Sequence, residues 1–168
     1  EGVVGVRLDI TAHKKAEAEM EMASKVLENT AEGVMVTDAD SRIIHVNAAY
    51  SELTGYQEEE LVGRIPLLLQ KESRSKIYQG IQKSLQEEGS WKGELWSSRK
   101  NGTNYPEMVS IKAIRNKQGE ISNYFSMSND ITERKKWEEQ LYHMAHYDSL
   151  TDLPNRTLFK DRLKQEII

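Results

Sequence analysis

The side chains best suited to bind a metal ion or haem are the four histidines of the chain, His13, His45, His143 and His146. Imidazole is a common ligand of zinc and of haem iron. His143 and His146 are three residues apart on a predicted helix and could touch one metal ion. Two ligands do not complete a site, so we interpret this surface as a solvated helix face and predict no metal site.

The sequence also lacks the residue patterns of covalent catalysis, phosphate binding and catalytic triads. The chain has no cysteine, and therefore neither a thiolate nucleophile nor a disulfide. The glycines Gly55, Gly63, Gly93, Gly102 and Gly119 stand singly at predicted turns or helix ends and do not form a phosphate-binding loop. Serine, histidine and aspartate show no informative spacing. We predict no catalytic residue in this chain.

Length and charge limit the class of protein. The chain of 168 residues can hold about one domain with extensions. Its net charge is −4, from 23 basic and 27 acidic residues, and no stretch is strongly basic, so nucleic acid is not an expected partner. The longest apolar runs, such as "IPLLL", fall far short of the ~20 residues of a membrane helix. We expect a cytoplasmic chain whose parent protein can carry an anchor upstream.

Apolar spacing predicts two strands, three helices and then three more strands. The stretch "EGVMVTDADSRIIHVN" predicts a β-hairpin, and "AAYSELTGY" predicts a short helix that ends in a left-handed Gly55. "QEEELVGR" predicts another helical turn. A longer helix is expected from about Glu72 to Glu88, with an apolar stripe of Ile77, Ile81 and Leu85. The strands "SWKGELWSSR", "YPEMVSIKAIR" and "ISNYFSMSNDI" follow, and the whole predicts an α+β fold with a five-stranded antiparallel sheet.

A repeated phrase marks both ends of this unit. "DITAHKKAEAEM" begins at Asp9, and "DITERKKWEEQL" begins at Asp130. Both phrases precede helices with a narrow apolar seam, which holds Ala16, Met20, Ala23 and Leu27 in the first and Trp137, Leu141 and Met144 in the second. Asp130 and Glu133 fit a capping box at the start of the second helix. The repeated phase predicts linker helices that pair in parallel and form a homodimer.

The sequence resembles a PAS domain. The matching phrases are "AEGVMVTDADSRIIHVNAAYSELTGYQEEELVG" and "RKNGTNYPEMVSIKAIRNKQGEISNYFSMSNDITERK", which fall in family order. The resemblance implies a PAS sensory domain over residues 24–131, with a linker helix at 12–28 before it and a signalling helix at 132–147 after it. The strand "VRLDIT" resembles the end of a preceding PAS domain, at residues 1–11. Asp130, Ile131 and Thr132 would form the signal junction.

The end of the chain resembles the start of a GGDEF domain, the catalytic domain of diguanylate cyclases. The phrase carrying this resemblance comprises Asp148, Leu150, Thr151, Leu153, Pro154, Asn155 and Arg156. Asp152 occupies a position where the family usually has glycine. The resemblance implies that residues 148–168 open such a domain and that its catalytic residues would lie beyond Ile168, so we expect no cyclase activity from this chain.

The PAS resemblance also implies a pocket. If the strands align as in the family, the inward residues are Leu95, Ser97, Glu107, Val109, Ile111, Tyr124, Ser126 and Ser128, and Met108, Phe125 and Met127 face outward. This inner face suits a small polar ligand, and the alternative is a cavity closed by side chains and water.

Flavin and haem are not expected in this pocket. Pro66 and Leu67 replace the cysteine and arginine of light-sensing relatives, and no histidine lies in the long helix that carries the haem ligand in haem-binding relatives. Trp91 resembles a tryptophan of flavin-dependent redox PAS domains, but it fits core packing better.

The resemblances together imply a sensory and dimerisation module of a bacterial signalling protein that regulates a diguanylate cyclase. Two alternatives stay open. The module could be a protein–protein dimerisation scaffold without a ligand, or the parent could carry a degenerate cyclase or a cyclic di-GMP phosphodiesterase.

Overall fold

The computed structural model describes residues 21–22, 24–66 and 76–166. A helical segment at residues 24–28 precedes the first strand. The elements that follow are β1 (Gly33–Asp38), β2 (Ile43–Val46), α1 (Ala48–Thr54), α2 (Glu58–Leu61), α3 (Lys76–Glu87), β3 (Ser90–Ser98), β4 (Asn104–Arg115), β5 (Ile121–Asp130), α4 (Thr132–His146) and α5 (Arg156–Glu166). The predictions for residues 1–20, for the seam residues Ala16, Met20 and Ala23, and for Leu67 lie outside the described residues.

The five strands form one antiparallel sheet in the order β2-β1-β5-β4-β3. This arrangement confirms the predicted α+β fold with helices at both ends. Polar turn residues close the hairpins as expected. The Asp38 carboxylate accepts a hydrogen bond from the backbone N–H of Arg42 at 2.8 Å. In the β4–β5 turn, the side-chain oxygen of Asn116 accepts hydrogen bonds from the backbone N–H groups of Gln118 and Glu120. Such bonds replace the backbone pairing that a turn lacks.

Asn47 holds the first half of the domain together. It is fully buried, and its carbonyl oxygen accepts hydrogen bonds from the N–H groups of Tyr50 and Val34. Its amide nitrogen donates to the backbone carbonyls of Leu27 and Glu32. One side chain therefore caps α1 and joins it to β1 and to the helical segment of residues 24–28. Gly55 ends α1 with φ of 78°, the left-handed conformation predicted for it.

The hydrophobic core has two parts on the inner face of the sheet. Ile81, Leu85, Leu95 and Val109 form one cluster, and Ile43, Val46 and Leu61 form the other. The predicted stripe on α3 is wrong at Ile77, which is 54% exposed. Steps of four residues turn a helix by about 40° each beyond a full turn, so Ile77 lies about 80° away from Leu85. The contact face of α3 therefore excludes it.

The helix α4 begins one residue later than the capping-box prediction requires. Ile131 occupies the N-cap position and makes no side-chain cap. The Asp130 carboxylate still accepts a hydrogen bond from the N–H of Thr132 at 2.7 Å, but Glu133 pairs with Lys136 instead of reaching back. The capping-box prediction is wrong because β5 continues through Asp130.

The last turn before α5 is stabilised by polar side chains. The Asp148 carboxylate accepts hydrogen bonds from Leu150 and Thr151, and Asn155 caps the first turn of α5. Asp152 has a φ of 58°, a left-handed conformation that favours glycine and that aspartate tolerates better than most residues. Its carboxylate lies 2.7 Å from Nε2 of His143 on α4.

Candidate ligand cavity and signal junction

A cavity of about 240 Å³ lies between the inner face of the sheet and the helices α1, α2 and α3. Seven of the eight predicted pocket residues line it, namely Ser97, Glu107, Val109, Ile111, Tyr124, Ser126 and Ser128. Leu95 does not line it but packs in the core cluster with Ile81. That these residues bind a ligand stays a prediction.

Strand alternation explains how these side chains converge. In the β4–β5 ladder Val109 pairs with Ser128 and Ile111 pairs with Ser126. Directly paired residues point to the same face of a sheet. The intervening residues Met108, Phe125 and Met127 lie on the opposite face, where each is half-buried.

Glu107 is the charged group at the buried end of the cavity. It is 6% exposed, and its carboxylate accepts hydrogen bonds from the hydroxyl groups of Ser97 and Ser128. Burial raises the pKa of Glu107, and the nearby Asp130 carboxylate adds to this, while the two serines and Arg99 act in the other direction. The net shift is upward because desolvation is the largest contribution.

Two tyrosine hydroxyls lie near this carboxyl. Burial raises the pKa of Tyr50, and the charge of Glu107 raises it further. Burial and the same charge raise the pKa of Tyr105. Both phenols therefore stay protonated at neutral pH and can donate one hydrogen bond and accept others. The buried end of the cavity thus combines one carboxyl with four hydroxyl groups.

Arg99 connects this wall of the cavity to the start of α4. Its guanidinium donates hydrogen bonds to the Asp130 carboxylate and to the backbone carbonyl of Leu53 on α1. The Cζ atom of the Arg99 guanidinium also lies 4.1 Å from the ring centroid of Tyr105, a cation–π contact. Partial burial acts to raise the pKa of Asp130, but hydrogen bonds from Thr132 and Arg99 outweigh it and hold that pKa below its usual value.

The predicted junction residues Asp130, Ile131 and Thr132 lie together at this point. Ile131 is buried, and its N–H donates to the carbonyl of Pro106 at the start of β4. Asp130 is also the register partner of Glu107. One pair of neighbouring residues in the sheet therefore links the cavity to the first turn of α4.

A second connection was missed by sequence reasoning. The Glu94 carboxylate on the outer face of β3 lies 2.5 Å from Arg134 and 2.6 Å from Lys135, both in the first turn of α4. Its hydrogen bond to Lys135, followed by that to Arg134, lowers the pKa of Glu94. These pairs are about 40 residues apart in sequence, and the partners of Arg99 lie 31 and 46 residues from it, so no local pattern signals them.

The histidines described by the structure are engaged in local contacts outside the cavity. Nδ1 of His45 lies 2.7 Å from Glu58, and its Nε2 lies 3.3 Å from Glu28. His143 and His146 stack on neighbouring tyrosine rings. Across residues 21–22, 24–66 and 76–166 no three metal-ligating side chains come close enough to hold an ion.

The two residues considered for flavin chemistry, Trp91 and Pro66, are both packed against other parts of the domain. The Trp91 ring packs against the core cluster and over Gly93, where a Cβ atom would come within 2.6 Å of the indole. Pro66 is buried and lines the cavity without offering a nucleophile. The described lining therefore contains no group that could form a covalent flavin adduct.

The family model for the PAS domain matches residues 31–133, and the chain belongs to the PAS domain family. PAS domains of this kind are sensory modules of signalling proteins. The match covers the sheet, the helices over its inner face and the start of α4.

Two relatives place the family in regulatory proteins. The nitrogen fixation regulatory protein of Klebsiella oxytoca is 30% identical over 81% of this chain, which spans 28% of that protein. The Escherichia coli (strain K12) protein named Probable diguanylate cyclase DgcE is 24% identical over 98% of this chain, which spans 16% of it. The chain thus corresponds to a minor part of each relative.

Solved structures share the fold. The PAS domain of a protein from Colwellia psychrerythraea has a TM-score of 0.64 and 20% identity, and the match covers 69% of this chain and 99% of that one. A structure titled for a flavin analogue in a Light-Oxygen-Voltage domain has a TM-score of 0.56 and 21% identity, covering 72% and 94% of the two chains. Within the described part of the chain, no helix has the length and hydropathy needed to cross a membrane.

Proposed function

We propose that this PAS domain senses a small ligand in the cavity and regulates a diguanylate cyclase domain that follows it. In this proposal residues 148–168 begin the cyclase domain, residues 1–11 end a preceding PAS domain, and residues 12–28 and 132–147 are linker helices. The cyclase part of the proposal is supported by the motif at Asp148 and by the similarity to a diguanylate cyclase relative.

One observation carries the signalling part of the proposal. Glu107 in the cavity and Asp130 at the end of β5 are register partners, and Asp130 contacts both Arg99 and the first turn of α4. A change at the buried end of the cavity therefore needs to move only one pair of neighbours to reach the helix. Packed networks of this kind transmit displacement when they have two discrete arrangements.

The signal would travel as a rotation of paired α4 helices. A one-residue insertion turns an α-helix by about 100°, whereas seven inserted residues return the seam to within about 20°. In the full-length parent, one residue inserted between Lys136 and Trp137 should change cyclic di-GMP output at least about fivefold. A seven-residue insertion at the same point should largely restore it.

Nucleotide chromatography of reactions with GTP and magnesium would measure this output. Output that neither insertion changes would show that α4 is only a tether. A parent protein that makes no cyclic di-GMP in any form would contradict the cyclase part of the proposal.

A second candidate is a dimerisation scaffold without a ligand. The exposed apolar seam of α4 favours it, because Trp137, Leu141 and Met144 are 62%, 61% and 68% exposed in the single chain. Native mass spectrometry of the freshly purified chain separates the two candidates. A small molecule retained on the chain supports the sensor, and a dimer that never carries added mass supports the scaffold.

A further inference from the structure

The aromatic residues of the chain are concentrated around the cavity. Five of its seven tyrosines line the cavity, namely Tyr50, Tyr56, Tyr78, Tyr105 and Tyr124. Trp96 also contributes to the lining and is largely exposed. The faces of aromatic rings attract cations, and several rings around one space favour an ammonium group over a neutral group of the same shape.

The charges of the lining point to the same ligand class. Its charged members among the described residues are Glu60, Arg64 and Glu107. Both carboxylate oxygens of Glu60 lie 2.7 Å from Lys100, and Arg64 is exposed. Of these three charged residues only Glu107 is buried, and it forms no ion pair with any described residue. The nearby Arg99 is already engaged by Asp130 and by the carbonyl of Leu53.

The groups around Glu107 suit a donor with several hydrogens. Ser97 and Ser128 already donate to the carboxylate, and the hydroxyls of Tyr50 and Tyr105 lie close enough to be affected by its charge. Each hydroxyl keeps oxygen lone pairs that can accept a further hydrogen bond. An ammonium group offers such hydrogens, and its positive charge would give the Glu107 carboxylate an ion-pair partner.

We propose that the cavity binds a small organic ammonium ion, with its charged nitrogen beside Glu107 and its apolar body among the tyrosine rings. This proposal rests on the proposed sensory function and specifies its ligand. An apolar cavity of about 150 Å³ holds one benzene molecule, so the cavity of about 240 Å³ has room for roughly ten non-hydrogen atoms. A primary amine attached to one ring by a short chain has this size.

Acid should weaken such binding. Glu107 is faced by Tyr50 from α1, by Tyr105 from its own strand, by Asp130 from β5 and by Arg99 after β3. Burial raises the pKa of Glu107, and its protonation removes the charge that holds the ammonium. The affinity should therefore fall as the pH is lowered from about 8 to about 5, while the alkylammonium itself stays charged because it titrates at a pH of about 10.

Isothermal titration calorimetry of the whole chain tests the proposal with three probes of matched size. These are 2-phenylethylamine, 2-phenylethanol and 3-phenylpropanoate. The amine should bind about tenfold to hundredfold more tightly than the alcohol. Glu107→Gln keeps the shape of the side chain and should remove this preference. Glu59→Gln removes the same charge from an exposed position of α2 that does not line the cavity, and it should alter amine affinity less than about twofold.

Three results would overturn the ammonium site. They are the absence of amine binding, an alcohol that binds as tightly as the amine, and an amine affinity unchanged in Glu107→Gln. If Glu107→Gln does not fold, the pH series on the unmutated chain decides, and a constant affinity over that range rejects the proposal. Binding of only the alcohol or the carboxylate would reject the ammonium class and leave the sensory cavity standing. Failure of the insertion series would reject the signalling function and leave the ammonium site standing.

Discussion

The PAS core and the α4 helix place polar and apolar side chains in opposite ways. The core buries Asn47, Glu107, Ser126 and Ser128, and every buried side-chain nitrogen or oxygen of the described residues has a hydrogen-bond partner. The helix buries no residue of its own within the chain, and its apolar seam faces outward. The core therefore satisfies its buried polar groups within the chain, whereas the apolar seam of α4 is not covered by any described part of the chain.

We propose that another copy of the chain covers the apolar seam of α4. The seam is narrow, about two positions in every seven, which suits a partner helix better than a broad globular surface. The alternative in which α4 folds back over the outer face of its own sheet does not hold in this structure, because Trp137, Leu141 and Met144 are all exposed. Homodimerisation in parallel through this seam is our proposal.

The most damaging change on the core side of the comparison is Asn47→Ala. Its four hydrogen bonds cannot be replaced by water at a fully buried position. We expect the free energy of unfolding to fall by about 3 kcal/mol, measured by urea denaturation. Asn116→Ala is the matched control, because Asn116 also accepts backbone hydrogen bonds but is exposed, and it should cost less than about 1 kcal/mol. Equal losses in the two variants would refute the special role of Asn47.

On the helix side, the decisive change is Leu141→Glu. A charge in a covered seam should weaken dimerisation about hundredfold while leaving the stability of the core unchanged, because Leu141 is 61% exposed in the single chain. Light scattering at micromolar concentration, with circular dichroism for the fold, measures both effects. Gln140→Glu adds the same charge at the neighbouring position of the helix and should leave the dimer intact. A monomeric unmutated chain, or an unchanged dimer in Leu141→Glu, would exclude the seam.

The smallest expected effect concerns the charge buried in the core. Because the pKa of Glu107 is raised above its ordinary value of 4.5, its buried ionised form costs stability as the pH rises through the folded-state pKa, and this cost is absent below about 4.5. Glu107→Gln should therefore be more stable than the unmutated chain by about 1 kcal/mol at pH 8 and lose this advantage toward pH 4.

The comparison of the two chains removes most of the opposite contribution of Asp130, apart from its electrostatic interaction with Glu107. That residue has a lowered pKa, and it stabilises both chains above its unfolded-state pKa and loses this effect as the pH falls. Thermal unfolding of both chains across the pH range gives the difference directly. A stability difference that does not vary with pH would show that Glu107 is not desolvated in solution.

Local sequence determined the elements of this protein and the faces of its strands. Period-two alternation placed Tyr124, Ser126 and Ser128 on one face of β5, and turn residues such as Asp38 and Asn116 placed the hairpins, because both signals depend on neighbours within a few residues. The same local reasoning failed at Ile77 and at the predicted cap of Glu133. In both cases the fit to the rest of the domain fixed the helix face or the helix start, and a short spacing rule carries no such information.

The tertiary structure alone decided how the parts are connected. Arg99 and Asp130 are 31 residues apart, and Glu94 and Arg134 are 40 apart. Their pairing depends on the order of strands in the sheet, which brings the end of β3 beside the end of β5 through β4. The gathering of five tyrosines around the cavity has the same origin, because they come from helices, strands and a loop distributed from α1 to β5. Sequence fixes which residues are available locally, but only closure of the sheet against the helices determines which of them share a cavity.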